Sequence, residues 1–141
     1  MTREDKELLL KDLCARLPYN PLVEYKGESY NVLGIAHGRL VLCKPFMSYT
    51  LNECPLVEEV KPYLFPLSSM TEEQKEELKN EISKQTDILI ERMKNDDCGI
   101  DCGKYHFHSL LELEWLLKNK FDYMGLIPKD LANNATGLNI Y

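Results

Sequence analysis

The chain has 141 residues, 44% of them apolar and 28% charged, with seven glycines and seven prolines. That is one domain's worth of ordinary globular composition, and it excludes disordered, collagenous and membrane-spanning classes. The formal charge of −6 argues against general nucleic-acid binding, which needs clustered lysine and arginine on a phosphate backbone. The opening Met1-Thr2-Arg3-Glu4-Asp5-Lys6-Glu7 is too charged for a signal peptide, so a cytoplasmic protein with no membrane association is expected. The five cysteines are then expected as reduced thiols.

The first predicted element is a helix over residues 2–17. Thr2 with Asp5 forms a weak capping box, and Leu9, Leu13 and Leu17 recur every four residues with Leu10 and Cys14 beside them. Pro18 and Pro21 end it. Residues 22–66 lose the helical period. Short apolar runs at 22–25, 29–36, 39–44, 47–51 and 57–63 alternate with turn signals, among them Lys26-Gly27 and His37-Gly38. The expectation is a small antiparallel SH3-like barrel or a curled sheet.

A second helix is predicted over residues 71–94. Thr71 with Gln74 is a capping box, Glu72 and Glu73 suit the positive end of the helix dipole, and Leu78, Ile82, Leu89 and Met93 form its stripe. Residues 98–108 read as a connection in which Tyr105–His108 alternates like a short strand. Ser109 with Glu112 then opens a third helix over 109–121, followed by an irregular C-terminal strap. The whole is expected to be a single α+β domain, residues 1–141, with three amphipathic helices flanking the sheet.

Four segments carry a resemblance. Leu13-Cys14-Ala15-Arg16-Leu17-Pro18-Tyr19, the run Lys61 to Glu73, Phe121 to Pro128, and Ala135 to Tyr141 are similar to an uncharacterised family of small proteins. Phages, prophages and mobile elements of anaerobic gut bacteria carry that family. The resemblance implies an accessory role on a mobile element, and it brings no catalytic residue, cofactor or activity with it.

Two constellations carry chemistry. The first is Cys98-x3-Cys102-x3-His106-x-His108, four potential zinc ligands within eleven residues. An extended 105–108 segment would turn both histidines to one face. The spacing departs from zinc knuckles and ribbons, however, and the alternative is two loop thiols and two histidines flanking an aromatic pair. Cys14 and Cys43 sit in apolar periodic segments and are expected in the core, whereas Cys54 precedes a proline in a polar turn and is expected to be exposed. The chain carries no phosphate-binding glycine loop and no nucleophile elbow.

The second constellation is aromatic. Tyr25, Tyr30, Phe46 and Tyr49 fall within the strand-rich segment, with Arg39 and Lys44 as counter-charges. SH3-like barrels present such rings to peptides, cations or nucleotides; packing of the barrel interior is the competing use. The expectation is a non-catalytic binding protein of phage or mobile-element origin, without cofactor. It would act against host defence by sequestering a small signalling nucleotide or a host protein. The alternative is a metal- or thiol-dependent enzyme built on the Cys98–His108 segment.

Overall fold

A computed structural model of the chain describes residues 1–47, 50, 53–93 and 101–141, with side chains at 89–93 and 101–109 left out of the description. Helix α1 spans Arg3–Arg16. Its cap is the expected one: the Asp5 amide donates to Thr2 Oγ1 at 3.1 Å, and the Thr2 amide donates back to Asp5 Oδ2 at 3.2 Å. Three strands follow, β1 (Leu22–Tyr25), β2 (Glu28–Ala36) and β3 (Arg39–Cys43). Each hairpin closes through two residues with positive φ, Lys26-Gly27 at 52° and 79° and His37-Gly38 at 53° and 72°. These are mirror-image turns whose twist matches that of the strands.

Strand β4 (Lys61–Leu64) pairs with β1, placing Pro62 opposite Val23. The tail then contributes β5 (Asn133–Asn134), parallel to β4 with Tyr63 opposite Asn133. The sheet order is β3-β2-β1-β4-β5, and the sheet is open and mixed, not closed into a barrel. One local departure from the expected meander, at 57–59, accompanies this. The expected strand at 47–51 touches β3 through a bridge of Thr50 to Cys43, with residues 48, 49, 51 and 52 outside the described ones. Residues Val57–Glu59 coil into a 3-10 turn instead of extending.

One face of the sheet holds the core. Leu9 and Leu13 of α1 seat on Val23, Tyr25, Tyr30, Val32, Leu40 and Leu42, and the tail seals the cluster with Leu126, Leu131 and Ala132. The C-terminal strap is therefore part of the core. Full burial of each such aliphatic side chain contributes about 1.5–3 kcal/mol.

Helix α2 spans Glu72–Met93 and α3 spans Asp101–Lys118. The Thr71–Gln74 capping box is present in both directions, at 3.0 and 3.2 Å. The two helices pack against each other. Helix α3 already includes the eight residues before the expected Ser109, and the expected strand over 105–108 is helical. The sequence misleads here because an alternation of aromatic and polar residues over four positions satisfies a strand period without excluding a helix. Among the described residues, no helix is long and apolar enough to cross a membrane.

Candidate functional site

Of the six aromatic and basic residues singled out in the strand-rich segment, Tyr25, Tyr30 and Lys44 come together. The two tyrosine rings meet edge to face at 6.3 Å and are 6% and 5% exposed, with the ammoniums of Lys26 and Lys44 over them at 5.0 and 5.8 Å, so they offer no open stacking platform. Their hydroxyls reach the rim. Tyr30 donates to Glu28 at 2.5 Å, and Lys44 pairs with the same carboxylate at 3.1 Å. Tyr25 donates to Glu53 at 3.0 Å, and Lys26 pairs with it at 2.6 Å. The tyrosine hydroxyl foremost, and then Lys44, holds the Glu28 carboxyl below the usual range; for Glu53, Lys26 leads and Tyr25 follows. Arg39 lies at the other end of β3, donating to the Cys54 carbonyl at 3.0 Å. Phe46 is fully exposed on a turn, and Tyr49 lies outside the described residues.

The Cys/His constellation changes shape. Cys98 lies outside the described residues, whereas positions 102, 106 and 108 are on the backbone of α3. At about 100° per residue, positions 102 and 106 share a helix face and 108 turns away. Among the described residues no group of three potential ligands is placed to hold a metal ion. Cys43 is buried and Cys54 exposed, as expected, but Cys14 is exposed. The buried stripe of α1 runs through Leu9, Asp12, Leu13 and Arg16, which rotates Cys14 out of it.

That charged pair was not legible as core. Arg16 Nε donates to Asp12 Oδ2 at 2.7 Å and Arg16 Nη2 to Asp12 Oδ1 at 3.0 Å, both side chains being fully buried. Nη2 also donates to the Phe121 carbonyl at 2.7 Å, and the guanidinium lies 5.5 Å from the Tyr123 ring centroid. Nη1 has no partner. Burial pushes the Asp12 carboxyl up despite Arg16.

The Phe121 carbonyl leads to a cleft of about 440 Å³ between the end of α3, the β4–α2 connection and the tail. Helix α3 stops in a Schellman motif. The Phe121 amide donates to the Leu116 carbonyl at 2.9 Å and the Lys120 amide to the Leu117 carbonyl at 3.1 Å, while Phe121 stacks on Trp115 at 5.8 Å. The left-handed position of this motif normally holds glycine. Here it is Lys120, with φ 65°. Its ammonium donates to the Tyr19 carbonyl and, at 3.4 Å, to the Asn20 carbonyl, and lies 5.6 Å from the Tyr141 ring centroid. Among the described residues no carboxylate pairs with it. Burial foremost, and then the charge of Arg16, lowers its pKa to about 8.

Phe65 and Tyr141 flank the cleft with their rings 5.8 Å apart. The Tyr141 hydroxyl donates to the Tyr63 carbonyl at 2.6 Å, and the Phe65 amide and carbonyl bond across to Lys120 and Asp122 at 2.9 and 2.8 Å. Asn119, Thr136 and Lys118 also line it, and the lining holds two lysines and no side-chain carboxylate. The cleft between α2 and α3 is the reverse in character, carrying Glu77, Glu81 and Glu114 against Lys118. Among known proteins, no family model, no curated protein and no solved structure matches this chain.

Proposed function

We propose that the chain is a non-catalytic binding protein that sequesters a small signalling nucleotide in the cleft beside Lys120. The flat base would lie against Phe65 and Tyr141, and the phosphate would meet the ammonium. One observation carries this reading: a lysine occupies a backbone position suited to glycine, with its charge partly desolvated and held by neutral groups. Such a side chain is strained and under-paired as it stands, and strain of this kind concentrates at ligand-binding positions. An acidic chain that gathers two lysines and no side-chain carboxylate around one cleft suits an anion there.

The strand tyrosines lose their part in this reading, because their rings are buried. The chemistry assigned to them, two rings and one cation, is supplied by Phe65, Tyr141 and Lys120 instead. Stacking is worth about 1–3 kcal/mol per base. A charge-assisted hydrogen bond adds about 1.5–3 kcal/mol. Immobilising the ligand offsets part of this. The resemblance to mobile-element accessory proteins gives such binding a use, namely withdrawing a signal from host defence in the cytoplasm.

Calorimetric titration with cyclic, linear and nicotinamide-derived nucleotides tests the reading. Binding by at least one, lost in Lys120→Met, is the expected result. Silence across the panel overturns it, and a stoichiometric metal in the purified protein would favour an enzyme built on the Cys98–His108 segment instead.

A further inference from the structure

Lys120 and the buried guanidinium beneath it suggest how the cleft handles charge. We infer that capture of an anion in the cleft is coupled to uptake of a proton by Lys120, and that Arg16 is a positioning residue that strengthens this coupling. The inference rests on the proposed site but not on the ligand's being a nucleotide.

The surroundings of Lys120 point this way from every side. From α1, Arg16 presents a second cation, fixed by Asp12 and by the Phe121 carbonyl adjoining Lys120. From the turn after α1 come the carbonyls of Tyr19 and Asn20, which are dipoles without charge. The Tyr19 hydroxyl is turned to Glu114, 3.2 Å away. The tail offers the Tyr141 ring, whose hydroxyl is engaged with Tyr63. On its own segment, Lys118 adds positive charge to the same cleft. The nearest carboxylate in sequence, Asp122, is occupied by the amides of Leu126 and Ile127 at 2.8 and 2.9 Å.

An ammonium in this setting is desolvated and repelled, so without a bound anion Lys120 is a mixture of amine and ammonium near pH 8. A bound anion supplies the missing counter-charge and favours the ammonium. The amine then takes one proton from the buffer; the anion keeps its own charge and no covalent bond is made or broken.

The test uses the full chain with two probes whose charge is constant from pH 8 to 9.5, adenosine monophosphate and inorganic sulfate. Titration at pH 8 in two buffers of different ionisation enthalpy should show uptake of about half a proton per anion bound, following from a group that is half protonated when free. Between pH 8.5 and 9.5 affinity should fall about tenfold. Lys120→Arg should bind with no proton uptake and a flat pH profile over that range, because its charge is permanent.

Removing Arg16 alone leaves Asp12 buried and uncompensated, so the informative variant is the double change Asp12→Leu with Arg16→Met. It should return Lys120 toward an ordinary lysine titration, read by side-chain nuclear magnetic resonance, and reduce proton uptake at pH 8. A wild-type chain that binds either probe without taking up a proton overturns the inference. So does an arginine variant with the wild-type pH profile, or a double variant in which the titration of Lys120 is unmoved. If sulfate binds with proton uptake and no nucleotide of the wider panel binds, the nucleotide reading fails and this inference stands. If neither probe binds, this inference fails, and the nucleotide reading is decided by the wider panel alone.

Discussion

Phe46 is fully exposed and held at φ 64°, on a turn closed by the Met47 amide donating to the Lys44 carbonyl at 3.1 Å. A bulky side chain in the left-handed region is strained by roughly 1–2 kcal/mol. Glycine would relieve that strain but adds freedom to the unfolded chain, so Phe46→Gly should raise stability by about 0.5–1 kcal/mol in urea unfolding. A destabilised variant would show that the ring has a packing role. The thiols give a second residue-scale test. Brief iodoacetamide treatment of the folded chain should label Cys14 and Cys54, both exposed, and spare Cys43, which is buried and whose Sγ lies 3.0 Å from the Met47 carbonyl. Labelling of Cys43 as fast as Cys54 would place it at the surface. Cys14 shows why sequence misled. On a helix, a stripe read from leucines alone overlooks a buried ion pair, since Asp12 and Arg16 look like solvent-facing positions until the Phe121 carbonyl arrives from elsewhere in the chain. Lys120 was equally hidden, because a cation at a helix C-terminus reads as a dipole partner.

The elements themselves were far more legible. Both two-residue hairpins, the caps at Thr2 and Thr71 and the start of α2 follow from local chemistry that acts within four residues. What local chemistry leaves open is pairing: β5 is two residues long and takes its place beside β4 through tertiary contact alone. The same distinction ranks the helices energetically. Leu13 of α1 is fully buried, whereas Ile82 of α2 is only partly covered in a helix that packs against α3. Leu13→Ala should therefore cost about 2–5 kcal/mol, and Ile82→Ala about 1 kcal/mol. Equal losses in chemical unfolding would mean that α2 is seated far more deeply than its exposure implies. Thr71→Ala, by deleting one half of a capping box, should cost about 1 kcal/mol, and Thr71→Ser should restore most of it.

At the scale of the whole molecule, the charge pattern sets how stability follows pH. Acidic groups dominate one limb. Asp5, Glu28, Glu53, Glu58 and Glu72 all have carboxyls held below the usual range, chiefly by hydrogen bonds from Thr2, Tyr30, Lys26, Lys6 and Lys75. Their contribution is present above the unfolded carboxyl range and is lost as pH falls through their folded values. Lys120 governs the other limb with the opposite sign. Its folded pKa of about 8 lies below the ordinary 10.5, so between those values the unfolded chain holds a proton that the folded chain has shed. Stability must therefore rise with pH in that window. A single group can give no more than about 1.4 kcal/mol per pH unit, and partial exposure of Lys120 makes the slope shallower. Above about pH 9.5, Tyr19, Tyr30 and Lys26 oppose it, since their raised folded values make deprotonation costlier in the folded state. Melting temperature measured from pH 7 to 9.5 should thus climb for the wild-type chain and stay level for Lys120→Met, whose side chain has no proton to lose. A variant that keeps the wild-type climb would assign the rise to other groups and leave Lys120 an ordinary surface lysine.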